Sequence, residues 1–217
     1  MTNRMSRLLF AAAALLAVAS TQAVAHPHVF VTMKSEIVYG AGGAVTAVRH
    51  AWVFDDMFST YALQGIESKK KGEFTREELA PLAETNVTSL KEYDFFTFAK
   101  ADGKKAPFNE PVDSYLEYDP KRTVLTLHFT LPFKTPVKAK RLSIDLYDPS
   151  AFIDFEFADK DPMALVGAPA TCELSVTRPG DGGLQVQPQR LSEAFFDSLD
   201  VSAWARQFAN KVSVKCP

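Results

Sequence analysis

The chain has 217 residues, with 24 Lys or Arg against 26 Asp or Glu and a net charge of −2. A 47% hydrophobic content with 17 phenylalanines suffices for a large core. The mild, unclustered charge argues against nucleic acid as a partner. The start of the chain reads as an export signal. Arg4 and Arg7 form a basic beginning, residues 8–18 are apolar, and Ala23-Val24-Ala25 is the A-x-A pattern cut by signal peptidase. The apolar run is shorter than the about 20 residues that a membrane span needs. Residues 1–25 are therefore expected to be removed, leaving a periplasmic chain of 192 residues with 22 basic and 26 acidic side chains.

Cleavage there makes His26-Pro27-His28 the new start. An α-amine with a pKa of about 8 and two imidazoles near 6.5 then lie within three residues. These nitrogens suit a borderline metal such as nickel, cobalt, zinc or copper. Pro27 has no N–H, so the four-nitrogen plane that uses deprotonated backbone amides cannot form in the usual way. What remains is a chelate of the His26 amine and ring with the His28 ring, completed from elsewhere in the fold. The same chelate suggests a copper histidine-brace oxidase as a lesser alternative, which would need a flat exposed face around the metal.

Residues 28–38 and 44–54 are rich in β-branched and aromatic side chains, and Gly40-Ala41-Gly42-Gly43 between them signals a turn. A hairpin centred between 41 and 42 would place His28 opposite Asp55, His26 opposite Met57 and His50 opposite Met33. His50 is then five residues from His28 along the ladder, about 16 Å. Asp55 or Asp56 is the nearer completing ligand and His50 the more distant one.

The middle of the chain turns helical, with spacing for helices over 57–66 and 75–93. Thr75 and Glu78 form a capping box, and Pro81 is expected to bend or interrupt the second helix. Between the helices, residues 67–78 match a calcium loop, with an acid at position 1, Gly72 at 6, Thr75 at 9 and Glu78 at 12. Lys69 and Lys71 stand where carboxylates belong, so calcium is not expected. A solvated charged turn between two helices is the plainer reading of the loop.

From residue 95 the β pattern returns. Strands are expected at 95–99 and 105–108 around Asp102-Gly103, and at 112–118 and 123–131 around Asp119-Pro120. A further pair is expected at 141–147 and 152–157, joined by Asp148-Pro149-Ser150-Ala151. His128 lies on the strand face of Val124 and Thr126, a packed or surface position rather than an evident ligand. A strand at 172–177, a Gly/Pro-rich loop at 179–188, two short amphipathic helices and a strand at 211–216 complete the chain. The first of those helices holds Leu191, Phe195 and Leu199, and the second follows Asp200. In an exported protein the two cysteines, Cys172 and Cys216, read as a disulfide. The fold class is α+β, mainly β: a β-sandwich-like core with a helical-pair insertion at about 55–93 carrying a degenerate EF-hand-like loop, and short C-terminal helices. A β-rich domain would span 26–165, with the strand-helix-strand segment 166–217 packed on it.

No G-x-S-x-G, P-loop, H-E-x-x-H or C-x-x-C pattern is present, and no enzyme is expected. Three stretches together resemble one family: His26-Pro27-His28-Val29-Phe30-Val31, the run from His50-Ala51-Trp52 through Asp55-Asp56-Met57-Phe58-Ser59, and Tyr147-Asp148-Pro149-Ser150-Ala151-Phe152-Ile153-Asp154-Phe155. With residues 76–96, they are similar to the exported bacterial proteins of domain-of-unknown-function family 1007. The resemblance covers nearly the whole mature chain. It implies a periplasmic component of an ABC-type transport system that accompanies a nickel/cobalt-type membrane exporter or permease. Members commonly carry an acidic loop where this chain has Lys69 and Lys71. The chain lacks the βαβ alternation of two-lobed substrate-binding proteins. The expected function is an accessory to a membrane metal transporter that binds a transition metal through His26, His28 and Asp55 or His50. A docking module that binds no metal is the alternative.

Overall fold

The computed structural model describes residues 28–181 and 200–217. Strict alternation of buried and exposed side chains in β1 (Val29–Tyr39) makes it a strand with one face inward. It pairs antiparallel with β2 (Val45–Phe54). The sharp connection is held by Gly40 N–H to Ala44 O (2.8 Å) and Gly43 N–H to Gly40 O (3.2 Å). Gly42 and Gly43 take φ values of +83° and +72°, which side chains with a Cβ disfavour.

The register differs from the expected one. His50 faces Ser35 and Trp52 faces Met33, a slide of two residues. Closure of the turn at Gly40 and Ala44 accounts for one residue, and a bulge between Val38 and Tyr39 for the other. An even slide keeps every side chain on its expected face. It moves His28 away from Asp55, whose partner is Phe30 instead: Asp55 N–H donates to Phe30 O at 2.9 Å.

The helical pair follows as α1 (Asp56–Ala62) and α2 (Arg76–Leu90). The Thr75–Glu78 capping box forms at the start of α2. The helix runs on through Pro81 without interruption. Leu79 and Ala83 bury its inner side. A short 3-10 segment over Lys91–Phe96 ends in three residues with left-handed backbone, Asp94, Phe95 and Phe96, and drives both phenylalanine rings into the core.

The remaining strands are β3 (Thr97–Ala101), β4 (Lys104–Lys105), β5 (Val112–Asp119), β6 (Val124–Val137), β7 (Arg141–Leu146), β8 (Ile153–Phe157), β9 (Met163–Val166), β10 (Glu173–Thr177) and β11 (Asn210–Lys215). They form two sheets. One has the order β5-β6-β2-β1-β8, with β9 pairing further along β1. The other has the order β10-β11-β7-β3-β4. The expected pairing of the strands at 141–147 and 152–157 is corrected: β7 belongs to the second sheet, while β8 runs parallel to β1 in the first. A short helix, α3 (Val201–Ala205), capped by Asp200, precedes β11. The helix expected around Leu191, Phe195 and Leu199 lies outside the described residues.

The chain is thus mainly β, and one continuous core draws on both sheets. Trp52, Phe129, Leu127 and Met33 come from the first, and Ile144, Leu142, Val212 and Val214 from the second. The Cys172–Cys216 disulfide joins the segment before β10 to the end of β11. No helix among the described residues is long and apolar enough to cross a membrane.

Candidate functional site

His28 begins the described chain at the open end of β1. Its N–H donates to Phe152 O at 2.8 Å, and its ring lies 4.8 Å from the Phe152 ring. That anchor is built by Asp148. Buried at the turn between β7 and β8, its carboxylate accepts from Ser150 N–H and Oγ (both 2.7 Å), Phe152 N–H (3.0 Å) and Ile153 N–H (2.9 Å). The turn carries the chain from one sheet to the other and presents Phe152 to the start of β1.

Asp55 is committed to backbone. One oxygen accepts from Phe30 N–H at 2.8 Å and the other, as the cap of α1, from Phe58 N–H at 2.7 Å. Each oxygen keeps a further lone pair. Across β1, Asp154 pairs with Phe30 in the parallel ladder. Burial, and after it the Glu156 carboxylate, raise the Asp154 pKa. Phe30 therefore has an acid on either side, and His28 is two residues away on the same face. Around this end Phe30, Met57, Tyr61 and Phe152 are exposed. His26 lies outside the described residues. Among the described residues, no three His, Cys, Asp or Glu side chains gather as a metal site.

His50 does not join this group. It faces Ser35, seven residues along β1 from His28, about 23 Å at strand spacing. It is also buried between the sheets, 1% exposed. Its Nδ1 is 2.8 Å from Ser35 Oγ and its Nε2 is 3.3 Å from Thr97 Oγ1. Thr97 gives its hydroxyl proton to Phe95 O, so Nε2 carries the ring proton and Nδ1 accepts from Ser35. With the rings of Trp52 and Phe129 at 5.3 and 4.9 Å, desolvation lowers its pKa to about 3. Both nitrogens are used and no path to solvent is open. His50 is a neutral core histidine, buried far along β1 from His28.

In the loop before α2, Glu73 and Glu78 serve the protein itself. Gly72 takes φ +79° at the sharp turn. Glu78 accepts from Lys69 N–H with one oxygen and Thr75 N–H with the other, each at 2.8 Å. These backbone bonds lower its pKa. Glu73 pairs with Lys70 at 2.6 Å.

A second polar cluster lies on the outer face of β5 and β6, which sequence spacing did not reveal. Tyr115 and His128 are ladder partners with stacked rings 4.6 Å apart, and the Arg76 guanidinium covers Tyr115 at 3.9 Å. Glu117 bonds Arg76, and its other oxygen is 3.2 Å from His128 Nε2 without hydrogen-bond alignment. Arg76 holds the Glu117 pKa down, while burial outweighs Glu117 and lowers that of His128. His128 is thus a stacked, partly buried histidine. The alternation in each strand was legible, but not the register that joins them.

Comparison with protein families matches residues 11–216 to a family described as "Protein of unknown function (DUF1007)". The chain belongs to this family. A search of curated proteins gave no match. The match spans the three stretches named above, including the Asp148 turn and the hairpin end that it anchors.

Proposed function

We propose that this DUF1007 protein is an exported, non-enzymatic accessory of a membrane transport system that binds nickel, cobalt, zinc or copper at the terminus created by cleavage after Ala25. His26 supplies the amine and a ring nitrogen, His28 a second imidazole, and Asp55 a completing carboxylate. We read the two sheets as the faces of a β-sandwich, and 55–93 as an insertion whose loop is a degenerate EF-hand. The disulfide favours an oxidising compartment. The observation that carries the metal reading is the anchoring of His28 by Phe152 at the end of β1, with Asp55 fixed one strand across and two residues on. Anchoring lowers the ordering cost of a site whose first two ligands lie in a short, proline-stiffened segment.

Calorimetric titration tests this with protein that begins at His26, the same protein with one extra N-terminal residue, and Asp55→Asn, which keeps a capping side chain. Tight binding lost on extension and weakened in Asp55→Asn is the expected result. Binding that survives the extension would move the site away from the amine. No binding in any form would leave the second reading, a docking module without metal. That reading is favoured by exposed Phe30, Met57, Tyr61 and Phe152, an apolar group of the kind that marks contact surfaces.

A further inference from the structure

At the opposite edge of the first sheet, four strand spacings or about 19 Å from β8, β5 and α2 enclose a groove of about 320 Å³. Its size falls at the lower end of small-ligand sites. Arg76, Ala80, Glu84 and Thr88 form one wall, at successive turns of α2, and Ser114 and Tyr115 the other. The strand wall is irregular: a bulge between Val112 and Tyr115, with Asp113 at φ +55°, pulls the start of β5 out of its ladder. Among the described residues β5 pairs only with β6, and α2 packs along it. At one end of the groove Arg76 uses one nitrogen on Glu117 and is held flat by Tyr115, with further N–H donors in hand. Glu84 is two helical turns away, about 12 Å along the axis.

We infer that this groove binds a short extended peptide, its carboxylate at Arg76 and its ammonium at Glu84. The charge separation matches three to four extended residues at about 3.3 Å each. The small Ala80 side chain leaves room for the occupant, and Ser114 lines the facing wall. This site is independent of the metal reading.

The test is amide chemical-shift mapping of the isotopically labelled protein, recovered from an exporting host, with trialanine added to about 10 mM, well above a millimolar dissociation constant. Shifts confined to α2 and the start of β5 are expected. They should vanish in Ala80→Leu, which fills the groove from an exposed helix position. Glu84→Gln, and separately an N-acetylated trialanine, should each weaken binding about two- to fivefold, as for an exposed ion pair. A C-terminally amidated trialanine should weaken it similarly at Arg76. If both capped peptides bind as tightly as the free one, the groove takes an internal segment of a protein chain and the end-group assignment is overturned. No shifts with trialanine, or shifts that persist unchanged in Ala80→Leu, would overturn the site itself.

Discussion

The imidazole of His50 stays neutral because its two nitrogens are satisfied by Ser35 and Thr97 while aromatic rings exclude water. Its pKa is lowered to about 3 from 6.5. Between those values the unfolded chain binds a proton that the folded chain refuses. Stability from this group is therefore full above pH 6.5 and falls as pH drops toward 3, by up to about 1.4 kcal/mol per pH unit. His50→Phe should flatten that slope. At neutral pH it should cost about 1–3 kcal/mol, because the Ser35 hydroxyl loses its acceptor in the core. Urea unfolding midpoints of both proteins from pH 7 to pH 4 check this. Parallel curves would assign the slope elsewhere, for instance to His128, whose pKa burial also lowers. In the sequence His50 was visible as a histidine of a β-rich stretch. Its burial was not, because the hydroxyls that satisfy it come from β1 and from β3 in the other sheet.

Among the elements, α2 was the most legible. Thr75 and Glu78 stand at capping-box spacing, and both reciprocal bonds are present, at 3.2 Å from Glu78 N–H and 2.8 Å from Thr75 N–H. Thr75→Ala should cost about 1 kcal/mol by removing one of the two. Thermal unfolding measures it, and an unchanged midpoint would show that Leu79 and the tertiary contacts of α2 alone hold its first turn. Pro81 does not interrupt α2, because a helix packed against the core can absorb a missing hydrogen bond that would weaken an isolated one. The hairpin shows the opposite limit. Side-chain alternation fixed which residues point inward, yet the turn and the bulge moved the ladder by two residues. That slide took Asp55 from His28 to Phe30.

For the whole molecule, the shared core and the disulfide act together. Cys172–Cys216 bridges a sequence separation of 44 and ties the edge strand β10 to β11, which the ladder with β7 joins to the rest of the second sheet. Loop closure of that length contributes about 4 kcal/mol in the chain-entropy model. The double variant Cys172→Ser with Cys216→Ser should lower Tm by about 10 °C for a chain of this size, read by calorimetry with and without reductant. A reductant effect that persists in the variant would mean that something other than this bond responds. Composition and spacing alone determined the mainly β character, the capped helix and the cysteine pair, since each is local chemistry or a count. Tertiary structure decided the strand order, the parallel placement of β8 on β1, the burial of His50 and the stacking of Arg76, Tyr115 and His128. Those depend on which strands meet and in what register. That is set by core packing and by bulges distant in sequence from the residues they align.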